Sequence, residues 1–291
     1  MLDYTLFLIY KVFKFIVLLL PKSLVKFFLD GLAYFIYIID IEHKKYAKAN
    51  LDFVYQDKLT TNQKNSIIKN SYKNLVYNLY EFIENQTLDL DGFEKKITVK
   101  NEHIIKEALD SGRKIILITA HYGNWEYGNT FFPLKYAPTT MVGRPMNNKY
   151  FNDELNKTRT RNNTQMLTKR EAGRGLVKAI KDGRVLGFVI DQHLRDGIEV
   201  EFFGKKVLQA DSASRLAIKF DALIIPLFFT NIEFGKYEAE FYPPIDPREE
   251  KDITKLTQLQ ADIMQHHIEK EPSQWFWQHK RFKQFYPEIY E

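Results

Sequence analysis

The 291-residue sequence contains no cysteine. This absence excludes a disulfide framework, a thiolate zinc site and catalysis by a cysteine nucleophile. The sequence also lacks the HExxH, EF-hand, GxxxxGK[ST] and GxGxxG patterns, so we predict neither a bound metal ion nor a bound nucleotide. It shows no internal repeat and no linker rich in serine or glycine.

Long uncharged apolar runs are missing as well. Residues 4–20 are apolar except for Lys11 and Lys14, and residues 24–39 carry two charged side chains. Neither run gives the ~18 uncharged residues typical of a transmembrane helix, and no cleavage site of a signal peptide follows the first run. Because the two lysines lie three residues apart, they share one helix face. We therefore expect residues 1–40 to form an anchor that lies in the membrane interface or barely spans it, with the lysines reaching lipid phosphates. A buried core helix with two exposed lysines is the alternative.

Aromatic and basic residues are abundant. The chain has 23 Phe, 17 Tyr and 3 Trp, a net charge of +5 and a pI near 9.0. The positive charge is concentrated in residues 139–184, where eleven Lys and Arg face four Asp and Glu. This surplus favours a phosphate or polyanion partner, with a solvated helical face as the ordinary alternative.

The pattern of apolar residues predicts a helical N-terminus followed by alternating strands and helices. After a long helix at 60–85, we expect strands at 96–100, 114–120, 140–143, 185–190, 223–230 and 237–241. Helices are expected at 102–111, 124–132, 148–162, 174–182, 210–220 and 253–270. Continuous apolar strands that alternate with helices predict an α/β fold with a mostly parallel central sheet flanked by helices. We expect one catalytic domain, residues 41–291, behind the N-terminal helices, residues 1–40.

The strand at 114–120 runs directly into the sequence HYGNWE, residues 121–126. In open α/β sheets, sites form beyond the carboxyl ends of strands, which is where His121 falls. If Asn124 caps the next helix, Glu126 lies in its first turn and its carboxylate can fold back onto the imidazole. A carboxylate paired with His121 would make it a general base for a hydroxyl group. For an isolated HxxxxE pattern, a structural histidine beside a capping glutamate is the alternative.

Further motifs follow this block in order. They are GRP at 143–145, TRTR at 158–161, Asp191-Gln192 at a strand end, FFG at 202–204 and WFWQHKRFK at 275–283. Together with the N-terminal apolar helices, they make nearly the whole chain resemble the lipid A biosynthesis late acyltransferases. That family belongs to the glycerolipid-type HX4(D/E) acyltransferases.

This resemblance implies a glycerolipid-acyltransferase-like fold and direct transfer of a fatty acyl chain. The implied donor is an acyl carrier protein, whose phosphopantetheine thioester requires no further cofactor. The implied acceptor is a hydroxyl of an acylated lipid A precursor at the cytoplasmic face of the bacterial inner membrane. His121 would deprotonate that hydroxyl, and Glu126 would orient His121. Since the chain has neither a cysteine nor a GxSxG elbow, we expect no covalent acyl-enzyme. The resemblance implies no nucleic-acid partner.

Five further residues are expected to bind substrate. Arg159 and Arg161 match arginines of the family, and a planar guanidinium is suited to hold a phosphate; a solvated helix end is the alternative. Arg144, in the GRP motif, is placed in the same set. Asp191 and Gln192 end a strand expected beside the histidine strand, and they either line the same cleft or cap the following loop.

The C-terminal tail combines Trp275 and Trp277 with histidine and basic residues. This combination is typical of a membrane-interface belt, and a packed tail is the alternative. We take His266 and His267 as surface residues. Two other functions stay open: acyl transfer to a lysophospholipid or other glycolipid, and non-catalytic binding to membranes or nucleic acid. No zinc-finger, KH or RNP pattern supports the last of these.

Overall fold

The computed structural model describes residues 2–291, over which the chain forms eleven α-helices and nine β-strands. The helices are α1 (Leu2–Leu19), α2 (Lys22–Ile39), α3 (Ile41–Tyr55), α4 (Thr61–Glu84), α5 (Leu90–Glu94), α6 (Glu102–Asp110), α7 (Tyr127–Lys135), α8 (Lys149–Thr160), α9 (Ala172–Lys181), α10 (Ser212–Phe220) and α11 (Ile253–Lys270). The strands are β1 (Ile97–Lys100), β2 (Ile115–Thr119), β3 (Thr139–Val142), β4 (Thr164–Leu167), β5 (Val185–Val189), β6 (Ile198–Phe202), β7 (Lys205–Gln209), β8 (Leu223–Glu233) and β9 (Lys236–Phe241).

Seven strands form the central sheet, in the order β1-β9-β8-β2-β5-β3-β4. The five strands from β8 to β4 are parallel, whereas β9 runs antiparallel to β8, and β1 runs parallel to β9. Strands β6 and β7 form a separate antiparallel hairpin. The expected α/β fold with a mostly parallel sheet is therefore confirmed.

Helices cover both faces of this sheet. Every residue of β2 is buried, and its side chains alternate between two hydrophobic cores. Ile116 and Ile118 belong to the core beneath α3, α4, α9, α10 and α11. Ile115 and Leu117 belong to the core beneath α5, α6 and α7. Burial on both faces explains why the strand is continuously apolar in sequence.

Three strands were not expected from the sequence. Strand β4 is short, lies at the sheet edge and carries polar residues, so it gives little hydrophobic signal. Strands β6 and β7 alternate charged residues with a few buried ones, among them Val200 and Val207. Helices α3 and α5 were not expected either, whereas the other strands and helices lie close to their expected positions, and α11 matches its expected range.

The N-terminal helices pack onto the rest of the chain in a defined orientation. Helix α2 buries Val25, Leu29 and Ala33 in a small core shared with α4. On α1, the ammonium groups of Lys11 and Lys14 lie 3.2 and 2.7 Å from carboxylate oxygens of Glu154 on α8. The expectation that these lysines reach lipid phosphates is therefore wrong. Both ammonium groups instead share one carboxylate within the protein, and the apolar side of α1 is turned outward.

The expected hydrophobic anchor helix is not found in its spanning form: within residues 2–291, no helix is long and apolar enough to cross a membrane. Helices α1 and α2 nevertheless expose many large apolar side chains. The exposed residues are Tyr4, Leu6, Leu8, Ile9, Val12, Phe15, Ile16, Leu18, Leu19, Leu24, Phe27, Phe28, Tyr34, Phe35, Ile38 and Ile39. We call this surface the apolar face. A contiguous apolar surface of this kind marks a site of interaction rather than ordinary solvent-exposed protein.

Candidate active site

The register between β2 and β5 sets up the site. Thr119 pairs with Val189, and the amide of Ile190 donates to the carbonyl oxygen of Thr119 at 3.0 Å. Two residues beyond this pair, His121 and Asp191 therefore emerge side by side at the carboxyl edge of the sheet. The strand that ends at Asp191 thus lies beside the histidine strand, as expected.

Asp191 holds His121 through two hydrogen bonds. Oδ1 lies 2.7 Å from Nδ1 of the imidazole, and Oδ2 accepts from the backbone amide of His121 at 2.8 Å. The indole Nε1 of Trp275 also donates to Oδ2, at 2.8 Å. Only 3% of the Asp191 side chain is exposed. Because an ionised carboxylate can only accept, Nδ1 carries the proton and Nε2 of the neutral ring is left as the basic nitrogen.

The charges of this pair stabilise each other. Burial alone would raise the pKa of Asp191, but the His121 charge and the hydrogen bonds from His121 and Trp275 outweigh it and lower the pKa to about 2. Burial alone would lower the pKa of His121, but the Asp191 charge and hydrogen bond outweigh it and leave the pKa raised. A raised pKa makes His121 a stronger proton acceptor, as a general base requires.

Glu126 has a different partner from the one expected. Its carboxylate receives two hydrogen bonds from the guanidinium of Arg159, one from Nε at 2.9 Å and one from Nη2, and a third from Asn129. The expectation that Glu126 bonds to and orients His121 is therefore wrong in geometry. Burial raises the pKa of Glu126, but the charge and hydrogen bonds of Arg159 outweigh it, so the pKa is lowered and the group stays ionised. Its charge still contributes to the raised pKa of His121.

The loop between β2 and α7 explains this arrangement. Helix α7 begins at Tyr127, so Glu126 and not Asn124 takes the N-cap position, contrary to expectation. Asn124 is instead buried, and its backbone N–H donates to the carbonyl oxygen of Phe229. Gly123 has φ +50°, and a Cβ there would collide with that same carbonyl. Only glycine fits this position, so the turn is fixed before the helix starts.

Helix α4 also holds the loop between β2 and α7. Asn74 and Asn78, one turn apart, both donate to the carbonyl oxygen of Gly123, at 3.1 and 2.6 Å. The amide of Gly123 donates in turn to the carbonyl of Gln274. The histidine is thus held by three separate parts of the chain, namely β2, α4 and the C-terminal tail.

The imidazole of His121 is partly exposed to solvent and lies beside aromatic rings. The imidazole side chain is 20% exposed, and Nε2 lies 3.4 Å from the side-chain nitrogen of Gln192. The ring of Trp125 stands edge-on to the imidazole at a centroid distance of 4.9 Å, and that of Phe276 lies at 6.3 Å. The two rings therefore flank the imidazole.

Comparison with known proteins agrees with this chemistry. The sequence model described as bacterial lipid A biosynthesis acyltransferase matches residues 1–284. The chain belongs to this family. It is 23% identical over 242 residues to the lipid A biosynthesis acyltransferase of Haemophilus influenzae, covering 81% of this chain and 76% of that protein. It is 26% identical over 173 residues to the phosphatidylinositol mannoside acyltransferase of Mycolicibacterium smegmatis.

That second match covers 58% of this chain and spans 56% of the mycobacterial protein. Among solved structures, the 1-acyl-sn-glycerophosphate acyltransferase PlsC of Thermotoga maritima is similar at 14% identity, with a TM-score of 0.44. The similarity covers 88% of this chain and 99% of that one.

The arginines expected to bind substrate separate into three environments in this acyltransferase. Arg159 is held by Glu126, close to the histidine. Arg161 donates to the backbone carbonyls of Gln86, Thr87 and Leu88, so it fixes the segment after α4 rather than facing His121. The two guanidinium groups therefore do not form a joint phosphate clamp. Arg144 follows β3 at the same sheet edge as His121, and it is exposed with no hydrogen-bond or salt-bridge partner in residues 2–291.

The C-terminal tail packs inside the protein, so the membrane-belt interpretation is wrong. Trp275 and Trp277 are almost fully buried. Arg281 is also buried, and it donates to the carbonyls of Gln192 and Leu208, which fixes the segment after Asp191. His267 is buried too, against the expected surface position, because its ring stacks on a phenylalanine of β8.

Sequence reasoning missed two parts of the site. It placed Trp275 in the tail motif but gave it a membrane role, and it did not assign Phe276 any contact with the histidine. Their position could not be read from spacing, because 148 residues separate the tail from the HYGNWE block. The only signal in the sequence for a role of the tail in the site was a tryptophan within a run of aromatic residues. Within residues 2–291, no group of three His, Asp or Glu is placed to hold a metal ion.

Proposed function

We propose that this acyltransferase moves a fatty acyl chain from an acyl carrier protein thioester to a hydroxyl group of an acylated lipid A precursor. The observation that carries the proposal is the His121–Asp191 pair, which leaves a basic Nε2 at the open edge of the sheet. Family membership supports an acyl transfer in lipid A biosynthesis.

The reaction follows from the protonation states of this pair. Nε2 of His121 takes the proton of the acceptor hydroxyl as its oxygen attacks the thioester carbonyl. The tetrahedral intermediate then expels the phosphopantetheine thiolate, which receives the proton back from the imidazolium. Asp191 stays ionised throughout and stabilises the imidazolium between the two steps. No acyl-enzyme is formed, since the acceptor oxygen attacks directly.

Gln192 is our candidate for stabilising the oxyanion. Its side-chain nitrogen lies 3.4 Å from Nε2 of His121, next to where the attacked carbonyl must lie. An amide N–H aimed at the developing negative charge is a typical oxyanion donor. We assign Glu126 and Arg159 to positioning, because their carboxylate–guanidinium pair joins the start of α7 to α8 beside the reacting nitrogen.

Exposed basic residues at the same sheet edge support an acidic protein as acyl donor. Arg144 follows β3, and Lys169 and Arg170 follow β4, whose carboxyl end points the same way as that of β2. Arg174 lies in the first turn of α9. All four are exposed and have no hydrogen-bond or salt-bridge partner in the described part of the chain. Free cations around a reactive centre attract a negatively charged carrier and bring its thioester to His121.

The apolar face supports work at a bilayer, and we propose the cytoplasmic side of the bacterial inner membrane as its place. Helices α1 and α2 expose aromatic and aliphatic side chains, while Lys11 and Lys14 of α1 pair with Glu154. Such helices bind by insertion of their apolar side into the interface. The acceptor lipid resides in the membrane, so docking there brings it to the site.

Two measurements test the proposal. Mass spectrometry of lipid A from cells that lack the protein should show a species one acyl chain lighter than normal. Purified full-length protein should transfer the chain from acyl carrier protein to the isolated precursor, and His121→Ala should lower that transfer by about 10²–10⁴-fold. Unchanged lipid A together with no transfer in vitro would contradict the proposed acceptor.

A second acceptor class is favoured by a specific observation. The mycobacterial relatives are named phosphatidylinositol mannoside acyltransferases, so the family includes proteins named for a glycosylated phospholipid. Transfer to another glycolipid or to a lysophospholipid would use the same His121–Asp191 pair. Parallel assays with these acceptors decide between the candidates, because the true acceptor gives the largest kcat/KM.

A further inference from the structure

A groove with almost wholly apolar walls lies between α2 and α4, next to the active site. It encloses about 340 Å³ and ends against the C-terminal tail. Volumes of small-molecule pockets run from roughly 300 to 1,000 Å³, so the groove is large enough for part of a ligand. Its apolar lining residues are Ile36, Tyr72, Leu75, Val76, Leu79 and Phe276.

The groove lies close to His121, because the two share Phe276 as a neighbour. Phe276 forms its end, and the ring of Phe276 lies 6.3 Å from that of His121. The amide of Phe276 also donates to the carbonyl of His121, at 3.0 Å. On α4, Leu75 and Leu79 each follow one of the asparagines that hold the carbonyl of Gly123. The helix that fixes the catalytic loop therefore also forms a groove wall.

One wall of the groove belongs to α2, a helix that also carries part of the apolar face. Ile36 lies on α2 between the exposed residues Phe35 and Ile38. Leu79 is itself 51% exposed although it lies in the wall. The polar side chains that line the groove have partners within the protein: His43 and Tyr72 bond to Asp40, and Gln278 donates to Ser71. This chemistry suits a hydrocarbon chain and not a sugar or a phosphate.

We infer that this groove holds an acyl chain of the acceptor lipid and places the acceptor hydroxyl beside Nε2 of His121. The inference rests on the proposed function. The cations expected to receive the donor follow β3 and β4, on one side of β2 in the sheet. The tail that closes the groove is bonded to β8, on the other side, through the side chain of Gln274 and the backbone of Asn231. Donor and acceptor therefore approach the histidine from opposite sides.

Substitutions that fill the groove test this assignment in the full-length protein. Leu79→Trp and Leu75→Trp should raise the KM for a long-chain acceptor roughly tenfold and leave the KM for the carrier-bound donor unchanged. An acceptor with shortened chains should lose this sensitivity, because it no longer reaches the filled space. Leu259→Trp is the matched control, since Leu259 is an exposed leucine on α11 outside the groove. Groove variants that behave like this control, or that change the KM for donors of different chain length, would overturn the assignment.

Photo-crosslinking separates this inference from the proposed function. A lipid A precursor that carries a diazirine on one acyl chain is mixed with the wild-type protein and irradiated. Labelling of peptides that contain residues 72–79 and 276 supports the groove, even if the wild-type enzyme transfers no acyl chain to this acceptor. Labelling confined to other peptides overturns it, even if transfer is efficient.

Discussion

The Nδ1 atom of His121 lies 2.7 Å from Oδ1 of Asp191, a residue 70 positions later in the chain. The partner of the histidine therefore comes from the neighbouring strand and not from its own motif. Glu126, the acidic residue of the motif, is bound instead by Arg159. This arrangement separates two tasks: Asp191 sets the protonation of the base, and Glu126 builds the surrounding framework.

Asp191→Asn should change the pH dependence of acyl transfer. The negative charge of Asp191 holds the pKa of His121 above its usual value, against the effect of burial. A base works in its deprotonated form, so the rate of the wild-type enzyme should rise with pH through this raised pKa. Without the charge, the pKa falls and the acidic limb of the kcat/KM profile should move to lower pH, while the maximal rate drops because the imidazolium loses its stabilising charge. An acidic limb at the wild-type pH would contradict the role given to Asp191.

Glu126→Gln and Arg159→Met should each destabilise the fold, and the double variant should be more stable than either. Each single change leaves a largely buried charge without its partner. Breaking a buried pair costs about 3–5 kcal/mol, and since both side chains here keep some exposure, we expect about 1–3 kcal/mol. Denaturant unfolding of the four proteins measures the coupling. Additive losses in the double variant would show that the pair contributes nothing.

Trp275→Phe should slow acyl transfer, whereas Trp277→Phe should not. Both changes keep an aromatic ring and remove one indole hydrogen bond. The bond of Trp275 goes to Oδ2 of Asp191, and that of Trp277 goes to the carbonyl of Pro272. Each should cost about 1–3 kcal/mol of unfolding free energy, because a buried acceptor loses a donor. Equal kcat values for the two variants would show that the hydrogen bond from Trp275 to Asp191 does not contribute to acyl transfer.

Phe15→Glu and Phe27→Glu should weaken binding to lipid vesicles without unfolding the protein. The two side chains are 65% and 71% exposed on the apolar face. Burying a phenylalanine contributes about 1.5–3 kcal/mol, so each variant should bind at least roughly tenfold more weakly. Leu259→Glu is the control, because Leu259 is 41% exposed on α11, which contributes no residue to the apolar face. If vesicle co-sedimentation shows equal binding for all three variants, the apolar face is not the surface that binds the membrane.

The orientation of α1 shows how far the sequence can predict. The spacing of Lys11 and Lys14 predicted that they share one helix face, and they do. It could not predict that Glu154, 140 residues or more away, would bind both and turn the opposite face outward. Which side of an amphipathic helix is exposed depends on the partner it meets, and that partner lies on another element.

The sequence by itself determined the order of elements at the active site: a buried apolar strand, then His121, then a helix. Local propensity and burial are properties of neighbouring residues, so they can be read in order along the chain. The same holds for the α/β class, which follows from apolar strands that alternate with helices. Tertiary structure alone decided which carboxylate reaches His121. That choice depends on the pairing of β2 with β5 and on the turn at Gly123, and both are set by packing between residues far apart in sequence.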